Sequence, residues 1–363
     1  MSTSSAIVSA SPETASPRSR AGQGSLAVLL LLCLGHMAVD LYSSALGALQ
    51  PLLVRHFGLS LTQAGFLGGL LVFSAVTQPV YGILSDRWHT RLFAALGPGI
   101  AALFISCLGI APSYGWLLAM VWLGGAGIAM FHPQATARAT MGMEEHRGRA
   151  MALFVSAGTL GFALGPTYFT FVTQRAGLEG AWIAAIPGIA VTLFLLWVLP
   201  LPDRPLGTAR SFDLGAMRSV ARPLTILFFL VFIGSAVQIT FAQFLLLYLN
   251  LERGFGVDTA RYTLSLYLGG GAIGGFLGGH LADRMGGRNV ILLSMVGSLP
   301  LLGIFFLTEG WVALVSLILG GTVLLFTVPV NLVMAQELAP KQAGTVSALM
   351  MGFAWGTAGV LFM

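Results

Sequence analysis

The chain has 363 residues, of which 56% are hydrophobic and 9% charged, with a formal net charge of +5. An average soluble domain carries roughly 25% charged residues, so a water-solvated surface is excluded and the chain reads as an all-α membrane protein. Its two cysteines, Cys33 and Cys107, both fall in apolar stretches, which leaves no disulfide framework and no cysteine-based metal centre.

In chain order, residues 1–24 are polar and rich in Ser, Ala and Pro, the composition of a disordered tail. The apolar run that follows is too long for a signal-peptide core, so no cleavage is expected. Membrane spans are predicted near 25–50, 61–84, 92–111, 115–137, 149–173, 180–200, 223–250, 262–282, 289–307, 311–336 and 343–363. The interval from Arg91 to Arg138 contains no other Asp, Glu, Lys or Arg and has room for two spans, with APSYG (111–115) as the turn. Residues 201–222, polar and Pro-rich, form a linker between bundles at 25–200 and 223–363.

With the N-terminus in the cytoplasm, fourteen of the 18 Lys and Arg residues fall on the inner side and only Arg55, Arg175, Arg253 and Arg261 on the outer. That asymmetry sets the orientation. It also accounts for the basic balance, so no nucleic-acid partner is expected.

The chain is doubled. YGILSDRWHTR (81–91) follows the second span and GGHLADRMGGR (278–288) follows the eighth, with Asp86 and Asp283 separated by 197 residues. Pro133 and Pro329 repeat at an offset of 196. Two parallel six-helix units are expected from such an offset, that is, twelve helices, of which about eleven are present. The second bundle therefore reads as incomplete and the chain as shortened.

Gly-x-x-x-Asp-Arg after the second and eighth spans resembles the loop motif of the major facilitator superfamily, and the resemblance implies that superfamily's fold. His36-x-x-x-Asp40 in the first helix, Gln78-Pro79 before the loop motif and Phe131-His132-Pro133 in the fourth helix resemble the fosmidomycin-resistance branch. Val39 and Gln134 depart from it. The resemblance implies small-molecule transport, here of fosmidomycin-like drugs or other polar organic compounds, across a bacterial inner membrane.

Asp40 sits mid-span, where a charged side chain costs at least about 2.5–3.5 kcal/mol. His36, Asp40, Ser43 and Gly47 share one helical face, which is expected to line a polar cavity. A carboxylate whose exposure changes there can gain and lose a proton. Asp40 is thus the candidate proton-coupling group, with His36 as its partner; a purely structural contact between helices is the alternative. Candidate cavity residues are Ser43, His132, Gln134, Gln238, Gln243 and Asn331, with interhelical hydrogen bonding as the alternative for the amides. Pro133 frees the carbonyl of Ala129, a break tolerated beside a cavity. Gly82, Asp86 and Arg87, with Gly279, Asp283, Arg284 and Arg288, are candidates for a cytoplasmic gate in which a carboxylate meets a helix N-terminus. Pro79, Pro133, Gly161, Gly165 and Pro166 are candidate break or close-packing positions.

The composite expectation is a secondary transporter, not an enzyme, with protons and a small molecule as its partners, no cofactor and no metal. The expected direction is efflux by antiport and the expected state a monomer. Uptake of an organic acid or sugar by symport remains open, as does a non-transporting scaffold or sensor. No G-x-x-x-x-G-K-[ST] loop occurs, so a gradient must supply the energy.

Overall fold

The computed structural model describes residues 17–88, 90–202 and 214–360. Those residues are helical throughout, with short irregular connections and no strand. Nine helices among them are long and apolar enough to cross a membrane. The first span is built from α1 (Pro17–Ser43) and α2 (Leu46–Phe57), and the second from α3 (Leu61–Ser74) and α4 (Gln78–Arg87). Next come α5 (Leu92–Ser106), α6 (Tyr114–Ala139), α7 (Arg147–Ala176) and α8 (Ala185–Val198).

After a short helix α9 (Leu214–Ser219), the second bundle has α10 (Ala221–Leu247), α11 (Val257–Met285) and α12 (Gly287–Leu307). A tenth span then breaks at Leu325 into α13 (Gly310–Leu324) and α14 (Thr327–Leu338), and α15 (Ala343–Ala348) and α16 (Ala354–Val360) follow. α11 fills the place of the eighth predicted span, although it is not among the nine. Its glycines and the charged Asp258, Arg261, Asp283 and Arg284 lower its mean hydropathy. Segment α15–α16 stands in the place of the eleventh.

Two differences from the sequence reading concern the ends of elements. α1 is already helical at Pro17, the first described residue, inside the stretch read as a tail. Residues 1–16, and 203–213 of the linker, lie outside the described residues, whereas 214–219 of that linker form α9.

Packing repeats with the sequence. Within the first bundle α1 lies on α7 and α5 on α6; the corresponding contacts of the second are α10 on α16 and α12 on α13. Between bundles, α4 meets α15 and α11 meets α7, which are the same contact generated twice around a pseudo-two-fold axis. Thr140 and Gln336, 196 residues apart, are repeat equivalents and bond to each other at 3.2 Å near that axis. Large apolar side chains such as Leu193, Trp197, Val296, Leu299 and Leu307 stand outward and exposed, an arrangement that a hydrocarbon surround stabilises and water does not.

Candidate functional site

α1 crosses α7 closely because α7 offers glycine at three positions of the crossing, Gly158, Gly161 and Gly165. A Cβ at Gly161 would lie 2.0 Å from the Met37 carbonyl oxygen, and one at Gly165 2.3 Å from that of Leu41. At Gly158 it would meet the His36 ring, 2.4 Å from Nε2. The three glycines thus let the helix backbones touch and leave room for one imidazole. That ring stacks on Phe154, with centroids 4.2 Å apart, and its Nδ1 donates to the Phe154 carbonyl at 2.8 Å.

His36 Nε2 lies 3.3 Å from Asp40 Oδ2, the neighbour one turn along α1. Asp40 Oδ1 lies 3.3 Å from Nε2 of His132, which comes from α6. The His132 Nδ1 donates to the Ile128 carbonyl at 2.8 Å, one residue before the carbonyl that Pro133 releases. α6 continues through Pro133 rather than ending there. The two imidazoles are nearly perpendicular, at 87°, and so address different oxygens of one carboxylate. Both histidines are buried, whereas the Asp40 side chain keeps 18% of its surface exposed. One nitrogen or oxygen from each residue lies within 4.8 Å of the others, compact enough to share protons or to hold a small cation.

Asp40 opens onto a cavity of about 300 Å³ between the bundles, lined from both halves of the chain. Ser43, His132, Gln238 and Asn331, all named from sequence, line it. Ser43 Oγ also donates to the Asp40 carbonyl at 2.9 Å. Gln134 is a correction: it lies two residues after His132, on the opposite face of α6. Its Oε1 accepts from Ala94 N at 2.9 Å and its Nε2 donates to the Thr90 carbonyl at 2.8 Å, so it caps the start of α5. The Gln243 side chain lies outside those described.

Sequence reasoning missed Gln78 as a lining residue, although it stands beside Pro79 at the break between a 3₁₀ turn (Ala75–Thr77) and α4. The signal was an amide within an apolar span. Trp355 of α16 also lines the cavity, with no sequence signal to separate it from a core tryptophan.

The repeated motif ties the two bundles together at two equivalent crossings. Asp86 accepts from Gly344 N and Thr345 N, both at 3.0 Å, and from Thr345 Oγ1 at 2.8 Å. Asp283 accepts from Gly148 N at 3.1 Å and Arg149 N at 3.2 Å, and Arg149 Nε stands 3.4 Å away. The partners are the otherwise unbonded N–H groups at the starts of α15 and α7, the positive ends of those helices. Gly82 and Gly279 sit buried at the crossings, where a Cβ would strike the carbonyls of Gly344 and Gly148. Arg87, Arg284 and Arg288 are exposed on this face. Gln336 adds to these contacts, donating to the Thr136 carbonyl at 3.1 Å and to Ser347 Oγ at 3.0 Å.

Known proteins place the chain. The Major Facilitator Superfamily matches residues 32–363. An uncharacterized MFS-type transporter, YfnC of Bacillus subtilis, is 31% identical over 342 residues, covering 91% of this chain and 83% of that protein. The fosmidomycin resistance protein of Escherichia coli is 28% identical over 346 residues, covering 93% and 84%. A putative glucose/galactose transporter of Helicobacter pylori is 24% identical, covering 91% and 85%. Among solved structures, the transporter FucP in its outward conformation shares the fold, with a TM-score of 0.69 at 17% identity over 92% of this chain and 90% of that one. Two bundles related by a sequence repeat, a cavity between them and a family match over almost the whole chain show that this multi-pass membrane protein belongs to the Major Facilitator Superfamily of transporters.

Proposed function

We propose that this chain is a proton-driven antiporter that exports small organic compounds across a bacterial inner membrane, working as a monomer. One observation carries the reading: a carboxylate, Asp40, opens onto the cavity between the bundles while two buried imidazoles hold it. A charge at that depth persists only where it is paired and used. Protons and solute then compete for one site, and that competition is what antiport requires. The paired aspartates Asp86 and Asp283 close the cavity on one side, which the charge asymmetry assigns to the cytoplasm. Breaking and remaking those contacts would exchange access between the two faces. The relative named for fosmidomycin resistance supports an exporter, although it names no solute for this chain.

The test uses everted membrane vesicles with an acid interior, reported by a quenched dye, and a panel containing fosmidomycin and small basic amines. At least one solute is expected to release protons from vesicles with the unaltered chain and not from protein-free vesicles or from those carrying Asp40→Asn. Equal release with and without the Asp40 carboxylate would remove it from the mechanism. Solute accumulation accompanied by proton entry in the same direction would replace antiport with symport.

A further inference from the structure

We propose that His36, Asp40 and His132 form a binding site for a transition-metal ion, with zinc as the ion that fits, and that the bound ion arrests the carrier. The ion is an inhibitor and not the transported solute. Its binding does not depend on the antiport reading; the arrest rests on it.

The ring nitrogens point to a metal. Nδ1 of His36 and Nδ1 of His132 each lie 2.8 Å from a backbone carbonyl, those of Phe154 and Ile128. A carbonyl only accepts, so each Nδ1 carries the hydrogen and each neutral ring presents a bare lone pair at Nε2. Histidines that ligate metals are held in this way, the other nitrogen donating to a carbonyl or carboxylate that fixes tautomer and orientation. His36 Nε2 supplies an independent sign. The side chain is 2% exposed, and Nε2 makes no hydrogen bond although Asp40 Oδ2 stands 3.3 Å away. A buried acceptor without a donor costs about 1–3 kcal/mol, and a coordinated cation would remove that cost. Stacking on Phe154 and the space left by Gly158 keep the ring aimed at Asp40.

The distances suit a small ion. Zinc binds imidazole nitrogen at about 2.0–2.1 Å and carboxylate oxygen at about 2.0–2.2 Å, so neighbouring ligand atoms of a tetrahedral set stand roughly 3.3–3.5 Å apart. Both separations between Nε2 and carboxylate oxygen are 3.3 Å, one on each oxygen of Asp40. The three ligand atoms lie within 4.8 Å of one another. A movement of at most about 0.7 Å by each histidine therefore brings the widest pair to the tetrahedral spacing. His36 and Asp40 stand four residues apart on one face of α1, and His132 comes from α6, which packs against it.

Donor type selects the metal. Two imidazoles and a carboxylate suit zinc and its neighbours, whereas magnesium and calcium take oxygen ligands. Three protein ligands leave a fourth position open. Asp40 keeps 18% of its side chain exposed on the cavity, from which water or a small anion would fill that position. Among the described residues that line the cavity there is no Arg or Lys to repel a divalent ion. Phe131 and Phe154 cover the His36 ring on the protein side, an apolar shell of the kind that keeps solvent from competing. With the ion bound, the lone pairs of Asp40 are committed to it and α1 is cross-linked to α6. The carboxylate then no longer exchanges protons.

The test titrates Zn²⁺ into the purified, untagged full chain after chelator stripping, against a chromophoric competitor, and examines the loaded chain by X-ray absorption at the zinc edge. One ion per chain is expected, with two imidazoles and oxygen at about 2.0–2.2 Å. His36→Gln and His132→Gln are each expected to weaken binding about a hundredfold or more, at or beyond the upper end of what loss of an outer-shell partner costs. Fewer than two imidazoles on the bound ion overturns the site, and that measurement needs no variant. Unchanged affinity in both glutamine variants also overturns it, placing the ion elsewhere, as at the exposed His56. The arrest is read separately in proteoliposomes, acid inside, with zinc on both faces and a solute that does not chelate it. Zinc is expected to stop solute-driven proton release, and a chelator to restore it. Binding as expected with undiminished proton release leaves the metal site standing and overturns the arrest, together with the place of Asp40 in antiport. If no solute releases protons, the antiport reading falls and the arrest with it, while the binding result stands.

Discussion

The two gate aspartates occupy equivalent places in the repeat yet hold their helices unequally, so Asp86→Asn should open the sealed face more than Asp283→Asn. Asp86 is buried and accepts three hydrogen bonds across the bundle interface, at 3.0, 3.0 and 2.8 Å. Bonds to a charged group contribute about 1.5–3 kcal/mol each. Asparagine keeps one acceptor oxygen and sets an NH₂ group against a helix N-terminus. Because these bonds join the two bundles, their loss falls on the closed state, and a loss of about 2–4 kcal/mol corresponds to a population shift of roughly 30- to 900-fold. Asp283 accepts two backbone bonds at 3.1 and 3.2 Å, and its third partner is the half-exposed side chain of Arg149. Exposed pairs contribute about 0–1 kcal/mol, so Asp283→Asn should cost nearer 1–2 kcal/mol, roughly 5- to 30-fold. The assay is spin-label distance measurement between Met141→Cys and Met285→Cys, both exposed at native positions in opposite bundles, after replacement of Cys33 and Cys107. A longer-distance population should grow in both variants and be larger for Asp86→Asn. Equal shifts, or a larger one for Asp283→Asn, would refute the argument that burial and donor number set the strength of the seal.

Other outcomes follow from single contacts. Gly158→Ala should abolish solute-driven proton release while the chain still inserts and folds, because the added methyl takes the place of the His36 ring edge; vesicle assay and gel filtration together check it. Gln134→Leu should lower thermal stability, leaving Ala94 N without its partner at a cost of about 1–3 kcal/mol. Its solute affinity should not change, and altered affinity would return Gln134 to the cavity. A chelator added to vesicles should leave proton release unaltered, since no metal ion takes part in the cycle proposed; a loss of activity restored by a divalent cation would contradict this.

Much of the molecule was legible before any coordinates. Apolar run length marks a span, and the offset between Asp86 and Asp283 reveals the doubling, because both properties are local or repeat along the chain. The pairing of His36 with Asp40 belongs to the same class, since four residues apart on a helix means adjacent in space. Gln134 shows the limit. It was grouped with His132 by proximity along the chain, yet two positions on a helix turn a side chain to the far face. Gln78 was noticed beside Pro79 but not placed in the cavity, because the face that a broken helix presents depends on how its two pieces pack.

What the sequence by itself determined was helices, their order, the repeat and one polar face. What only the tertiary structure decided was which faces meet. His132 reaches Asp40 from a helix nearly a hundred positions on, and Asp86 finds the start of α15 another 258 residues along the chain. Hydrophobic periodicity leaves those partners open, because an apolar face is compatible with many neighbours. Steric fit selects among them: the Gly158, Gly161 and Gly165 surface of α7 admits the α1 backbone where a larger side chain would hold it away.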